Sequence, residues 1–314
     1  MDEIEILNLF FNFIEFPFQA NELFRETGQR SVYRGVAALS PNQSLIVKVG
    51  QNMTSTDIAR FEREVKILQK LDSHYFPKIQ DIRIISKSNI DGFAEENPNI
   101  QRVRSRIFDK LFSGPFVITI EKYIEHRSWK DVFGKTITNY AFFIEFFEKI
   151  FDALNLIWQA QVVHRDLKPD NILITTNLDP IIIDFGAAKS LRVGTRQLTG
   201  PSGALLTAYY ASPEQIEVFR HSEVSYKSDQ FSIGVIMFEI LTGKHPYLEE
   251  DDNLDTYKSK LKNGELNTTL LQETDCPEAL QEFVLKLIGN RPHKRFKNFD
   301  SIKDAIIKIK GEMQ

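Results

Sequence analysis

The run His164-Arg165-Asp166-Leu167-Lys168-Pro169-Asp170-Asn171 constrains this chain more than any other stretch in it. Two short β-prone segments follow, residues 172–175 and 180–183, with a turn at Asn177 between them and Asp184-Phe185-Gly186 immediately after. Apolar segments this short, separated by a turn, form a hairpin. Such a hairpin brings Asn171 and Asp184 to one end of two adjacent strands, where their oxygens can share a hard cation such as Mg²⁺. Asp166 offers a carboxylate beside an acceptor hydroxyl, and Lys168 a cation near moving charge. Those are the parts that transfer of a phosphoryl group requires.

The rest of the composition narrows the class. With 314 residues and 42% hydrophobic content, the chain can bury one large core or two moderate ones. The net charge of -4 gives no broad basic surface, so nucleic acid is not an expected partner. Cys276 is the single cysteine, which excludes an intramolecular disulfide and leaves no second thiol for a metal or redox motif. A reducing, cytoplasmic setting fits that usage. No apolar run reaches the roughly 18 residues of a transmembrane helix. Residues 1–18 are apolar, but their early charges Asp2, Glu3 and Glu5 are the wrong sign for a secretory signal. Ile4, Leu7, Phe10, Phe11 and Ile14 recur at helical spacing and predict a short helix ending before Pro17 and packing on the part that follows. The absence of Lys and Arg there argues against a helix lying on anionic lipid.

Along the chain, strands are expected at residues 31–39 and 45–49, with Pro41 and Asn42 as the turn between them. Residues 56–71 carry Ile58, Phe61, Val65, Leu68 and Leu71 at helical spacing behind the caps Ser55 or Thr56. Strands at 79–85 and 116–120 flank a polar stretch, residues 86–114, with Arg102, Arg104, Arg106 and Lys110, which reads as an inserted, solvated loop. Helices are expected over 140–158, 228–241, 277–288 and 301–309, the first with an aromatic stripe that makes it a buried one and Trp158 a core residue. A strand-rich part with one main helix precedes a larger helical part.

In this order and spacing, the loop at 164–171 and Asp184-Phe185-Gly186 resemble the catalytic and metal-binding loops of the protein kinase family, and the resemblance extends over residues 32–295. It implies a bilobal α+β fold: an N-terminal helical extension over 1–20, then a kinase domain over 21–314, with an N-lobe at 21–124 that holds the insertion, and a C-lobe at 125–314. ATP and Mg²⁺ are the implied ligands, bound in the cleft between lobes, and Ser/Thr-bearing proteins the implied substrates. By the same resemblance Asp166 orients the hydroxyl, Lys168 steadies the γ-phosphate, and Asn171 and Asp184 bind the metal. Ile46-Val47-Lys48 and Phe61-Glu62-Arg63-Glu64-Val65 place Lys48 and Glu64 as the ion pair that holds the α- and β-phosphates.

The glycine-rich loop departs from the family pattern. Across residues 25–32 it keeps Val32 and Gly28, with Thr27 and Arg30 near positions usually held by glycine. Glycine there permits close approach of backbone N–H groups to phosphate, so the cradle is degenerate and Arg30 could instead contact phosphate itself. The hinge pattern sets Lys122 and Ile124 at the adenine-binding backbone and Glu121 at the guard of the deeper pocket, where a carboxylate needs a cation. Glu214, within Ser212-Pro213-Glu214, pairs with Arg295 in the family, and Asp229 receives the catalytic-loop N–H groups. Lys168 and Thr207 resemble the serine/threonine branch, and residues 210–215 the bacterial members.

Arg165 sets a permanent positive charge beside Asp166, and in the family this arginine often awaits a phosphate on the segment that contains Thr195, Thr199 and Ser202. Phosphorylation at one of them, Thr199 or Ser202 first, is the expected way to order that segment, with self-phosphorylation as one route, and Arg192 and Arg196 could instead pair with acidic surface residues. Two other readings fit less of the sequence. A signalling pseudokinase has only the poor glycine loop in its favour, since Lys48, Asp166, Asn171 and Asp184 are all present. An antibiotic phosphotransferase is opposed by Asp184-Phe185-Gly186, the Ser212-Pro213-Glu214 segment and Arg295.

Overall fold

The computed structural model describes residues 2–27, 30–38, 40–50, 54–103, 111–112, 114–134, 137–185, 189–190, 209–249 and 251–313. Side chains are described for all of these except 27, 30, 55–57, 60–61, 63–64, 101–103, 189–190, 218–219 and 221. The chain forms two compact units, Met1–Ile124 and Glu125–Gln314.

In the first unit, helix α1 (Glu3–Phe13) starts at a reciprocal cap: the Asp2 carboxylate accepts the Glu5 N–H at 2.9 Å, and the Glu5 carboxylate accepts the Asp2 N–H at 2.8 Å. Strands β1 (Phe18–Thr27), β2 (Arg30–Ala37) and β3 (Ser40–Gly50) lead to helix α2 (Ser55–Lys70). Strand β4 (Ile79–Ile85), helices α3 (Lys87–Glu96) and α4 (Pro98–Val103), and strand β5 (Phe116–Lys122) complete the unit. The five strands make one antiparallel sheet in the order β1-β2-β3-β5-β4.

Alternation along β3 and β5 sends side chains to two different coverings. Leu45, Val47 and Val49 of β3, with Phe116, Ile118 and Ile120 of β5, join the core that contains Ile6, Leu7, Phe10 and Phe11 of α1. The ring of Phe10 lies 4.7 Å from that of Phe112, 5.2 Å from Phe93 and 5.6 Å from Phe116. On the opposite face Val117 packs with Ile58 of α2 and Ile82 of β4, and Lys48, Thr119 and Glu121 share this face. Gly35 is required where β1 and β2 approach closely, since a Cβ there would lie 2.0 Å from the Gln19 carbonyl oxygen.

Three expectations need correction here. The sequence suggests a helical extension over 1–20, but the helix ends at Phe13, β1 already begins at Phe18, and both are built into the first unit's core. Pro41 and Asn42 do not form the turn; they lie in the exposed start of β3, where a missing N–H is tolerated. Residues 86–114 are not simply a solvated loop, because α3 and α4 with the residues after them bury Ile90, Phe93, Ile100, Leu111 and Phe112. The side chain of Arg102, and Arg104, Arg106 and Lys110, lie outside the described residues.

The second unit opens with strand β6 (His126–Arg127), helix α5 (Trp129–Phe133) and the long helix α6 (Tyr140–Gln159). Ten residues of α6 are buried, Phe143, Phe147, Ile150 and Phe151 among them, as the aromatic stripe demands. Short strands β7 (Val162–Val163), β8 (Ile172–Thr175), β9 (Pro180–Ile182) and β10 (Lys189–Ser190) follow, with β9 and β6 flanking β8 and β10 pairing β7. Helices α7 (Pro213–Ile216), α8 (Tyr226–Thr242), α9 (Leu254–Asn263), α10 (Thr269–Gln272), α11 (Glu278–Leu287) and α12 (Phe299–Glu312) build the remainder. Helix α8 is buried nearly all round, and Gly234 sits where it meets α11: a Cβ there would fall 2.7 Å from Leu287 Cβ. The unit is mainly helical while the first is strand-rich, the α+β division expected from the sequence. Among the described residues no helix is long and apolar enough to cross a membrane.

Candidate active site

The catalytic-loop candidates lie between β7 and β8 in the second unit, held by hydrogen bonds from three directions. Asp229, fully buried near the start of α8, accepts the His164 N–H at 3.0 Å and the Trp158 Nε1–H at 2.9 Å on Oδ2, and the Arg165 N–H at 3.0 Å on Oδ1. Burial pushes the Asp229 carboxyl up, and these donors, with His164, oppose the rise. Trp129 of α5 donates its Nε1–H to the carbonyls of Pro169 and Ile172 at 3.0 and 3.1 Å, fixing the turn that carries Asn171. Gln215 of α7 donates from Nε2 to the Arg165 carbonyl at 2.8 Å, while its own Oε1 accepts the Ser212 N–H at 3.1 Å and hydroxyl at 3.0 Å.

The loop these contacts shape is under strain. Arg165 has φ 70° and Asp184 φ 62°, left-handed values uncommon for residues with a Cβ. His164 Nε2 lies 3.1 Å from the Ile183 carbonyl, and its ring centroid is 4.8 Å from that of the buried Phe185. The strand register pairs Ile172 with Ile182, and the Ile183 N–H bonds the Asn171 carbonyl at 2.9 Å. Asn171 and Asp184 therefore sit at the same end of the β8–β9 hairpin.

Asp166 is the centre of the constellation. Asn171 donates from Nδ2 to the Asp166 carbonyl at 2.7 Å and to its Oδ2 at 3.0 Å, and Lys168 Nζ lies 3.5 Å from the same Oδ2. The other carboxylate oxygen, Oδ1, is buried with no hydrogen-bond partner among the described residues. Burial pushes the Asp166 carboxyl above its ordinary value; Lys168 opposes the shift and the nearby Asp184 carboxylate adds to it. Because Nδ2 of Asn171 is committed to Asp166, its amide oxygen is the atom left to act as a ligand. An amide oxygen at the same hairpin end as the Asp184 carboxylate offers two hard-oxygen donors of the kind that suit Mg²⁺, which takes few protein ligands and keeps several waters.

Further out, Glu214 and Arg295 form a bidentate pair at 2.6 and 3.0 Å with both side chains fully buried. Ser228 adds a hydroxyl to Glu214 at 2.7 Å, and Arg295 also donates to the carbonyls of Gly289 and Lys227.

In the first unit, Lys48 lies opposite Thr119 across β3 and β5, and its Nζ is 2.7 Å from Glu121 Oε1. Sequence reasoning asked for a cation beside Glu121 and did not name Lys48 as that cation. Val32 pairs Lys48 in β2, Lys122 is exposed at the end of β5, and the Tyr123 N–H between Lys122 and Ile124 bonds the Ser44 carbonyl at 3.1 Å. Gly28, Gly186, Thr195, Thr199, Ser202 and Thr207 lie outside the described residues, as do the side chains of Thr27, Arg30 and Glu64. Gln215 and Trp129 were missed, although Ser212 followed three positions later by Gln215 is a helix-start signature legible in the sequence.

The sequence profile of the protein kinase domain family matches residues 28–306. A probable serine/threonine-protein kinase of Clostridium acetobutylicum is 30% identical over 208 residues, covering 65% of this chain and 30% of the relative. The serine/threonine-protein kinase PknB of Mycolicibacterium smegmatis is 28% identical over 200 residues, 63% of this chain and 31% of that protein. A probable PknB of Lactococcus lactis is 26% identical over 278 residues, 88% of this chain and 39% of its own length. The chain thus spans about a third of the length of these relatives, and its profile match covers most of its own: it belongs to the protein kinase domain family.

Proposed function

We propose that this chain transfers the γ-phosphate of ATP to serine or threonine hydroxyls of proteins, with Asp166 as the base that orients and deprotonates the acceptor. The observation that carries the reading is the Asp166 carboxylate: Oδ2 is held by Asn171 and faced by Lys168, while Oδ1 is buried and unpartnered among the described residues. A buried acceptor atom with no donor is costly to keep. An incoming hydroxyl satisfies it and is aligned by it. Lys168, 3.5 Å from the same carboxylate, supplies positive charge beside the phosphoryl group in flight. Asn171 and Asp184 would hold Mg²⁺, whose chemistry is to neutralise and orient the phosphates. Lys48 is the residue we assign to the α- and β-phosphates, and Glu64, Thr27, Gly28, Arg30, Val32, Lys122 and Ile124 complete the nucleotide site in this reading.

Regulation follows from Arg165. Its Nε is buried and has no hydrogen-bond partner among the described residues, and burial pulls the guanidinium below its ordinary value. A phosphate on Thr195, Thr199 or Ser202 would give it the doubly charged acceptor that such a site favours. A triple Ala variant that keeps full activity would sink this part of the reading.

The deciding experiment is mass spectrometry after incubation with ATP and Mg²⁺, with a generic acceptor protein, of the natural chain and Asp166→Ala. Phosphate on Ser or Thr in the natural chain alone is the expected result. Equal phosphate, or none in either sample although ATP binds, overturns it.

A further inference from the structure

Lys48 and Glu121 are an ion pair built into the sheet. Their charged atoms are 2.7 Å apart, and the side chains are only 11% and 6% exposed. The register sets Lys48 opposite Thr119, so Glu121, two positions along β5, is its diagonal neighbour on the same face. Both β3 and β5 have a paired strand on each side. The backbone of neither partner can move far without breaking the ladder bonds that hold its strand. Glu121 also stands in a strand that is otherwise apolar apart from Thr119 and the exposed Lys122, where a lone carboxylate is strongly disfavoured.

We propose that Glu121 is a positioning residue for phosphoryl transfer: a counter-ion fixed on the sheet that aims the Lys48 ammonium at the polyphosphate of ATP. The inference rests on the reading of Lys48 given above. Its mechanical content is that a strand-borne carboxylate does not depend on the position of α2 to face the lysine, because the backbones of both residues belong to the β3–β5 ladder. A helix-borne carboxylate moves with its helix; this one is anchored in the sheet. Lys48 is thereby pre-oriented before the nucleotide arrives, and the ordering of its long side chain has already been met in folding.

The test uses the full chain and four proteins: natural, Lys48→Met, Glu121→Gln and Glu121→Asp. Binding of ATP with Mg²⁺ is measured directly, together with kcat, KM for ATP and the thermal midpoint. Lys48→Met is expected to lose ATP affinity, and Glu121→Gln to raise KM for ATP by about 10- to 100-fold, the size of effect that a misplaced positioning group produces, with a smaller change in kcat. Glu121→Gln removes one charge from a buried ion pair and could fail to fold, so Glu121→Asp is the control. It keeps the charge, withdraws it by one methylene, and is expected to hold its thermal midpoint while KM for ATP lies between natural and Gln values. If Lys48→Met loses affinity while both Glu121 variants bind ATP as tightly as the natural chain or more tightly, Glu121 does not aim the lysine and the proposal falls alone. If Lys48→Met itself keeps natural affinity, the assignment of Lys48 falls and takes the proposal with it.

Discussion

Gln215 reaches across fifty positions of sequence to donate from Nε2 to the Arg165 carbonyl at 2.8 Å. That carbonyl belongs to the peptide joining Arg165 to Asp166, and the Arg165 N–H is simultaneously held by Asp229 at 3.0 Å. A residue at φ 70° is therefore clamped on both sides, and the direction in which Asp166 projects follows from the clamp. Gln215→Met keeps the bulk and removes the donor. The expected outcome is a fall in kcat of about 10- to 100-fold with KM for ATP nearly unchanged, measured by steady-state phosphorylation of a generic acceptor. An unchanged kcat would reduce the contact to packing.

The Glu214–Arg295 pair is predicted to be worth most when broken on one side only. Both side chains are fully buried, so Arg295→Met strands a carboxylate and should cost about 3–5 kcal/mol of stability in chemical denaturation. Replacing both by Met should cost clearly less than the sum of the single changes, read from a double-mutant cycle. Burial alone would raise the Glu214 carboxyl, but Arg295 and Ser228 outweigh it and hold the group below its ordinary 4.5. A depressed carboxyl stabilises the fold fully above that ordinary value and loses the contribution as pH falls through the lowered one. The natural chain should consequently lose this part of its stability only below about pH 4.5, and the double variant should not.

Much of the second unit could be read from sequence because its signals are local. The loop from His164 to Asn171 and the hairpin after it are contiguous, and each position carries a residue type that the chemistry needs. The stripe of α6 likewise encodes its own burial. What escaped reading depends on register or on long reach. That Glu121 meets Lys48 follows only once β3 is set against β5, and a slip of one residue would put them on opposite faces. Gln215 needed the tertiary approach of α7 to the loop at residues 164–171. The helices of residues 86–114 were obscured because charge dominated the reading of that stretch, while Ile90, Phe93 and Ile100, which find their partner in α1, were overlooked.

Helix α1 is expected to behave as part of the first unit's core. Asn8 donates to the Ala20 carbonyl at 2.8 Å and accepts the Ala20 N–H at 2.7 Å, satisfying both backbone groups of one residue in the outermost strand, β1. Asn8→Leu leaves that pair unmet at a partly buried site and should destabilise by about 1–3 kcal/mol. Phe10→Ala removes a fully buried ring packed among Phe93, Phe112 and Phe116, with an expected cost of about 3–5 kcal/mol. Denaturant midpoints of the intact chain and each variant decide this. Variants as stable as the natural chain would show that α1 is merely appended.

Asp166 yields a prediction with opposite signs for stability and activity. Burial, the largest influence, together with Asp184, holds its folded-state carboxyl above the ordinary 3.8 despite Lys168. A raised carboxyl favours the protonated form in the folded chain, so ionising it weakens the fold as pH rises from 3.8 through the raised value, and the penalty is constant beyond. Asp166→Asn removes the ionisation and keeps the shape. At about pH 7 the variant should therefore unfold at a higher temperature than the natural chain while transferring no phosphate. The gap should shrink as pH falls through the window and vanish below about 3.8, where both chains carry a neutral group. Contributions shared by the two proteins, that of Glu214 included, cancel in the difference. Thermal midpoints of both across the acid range make the comparison, and a variant less stable at neutral pH would mean that Asn171 and Lys168 stabilise the Asp166 carboxylate by more than its burial costs.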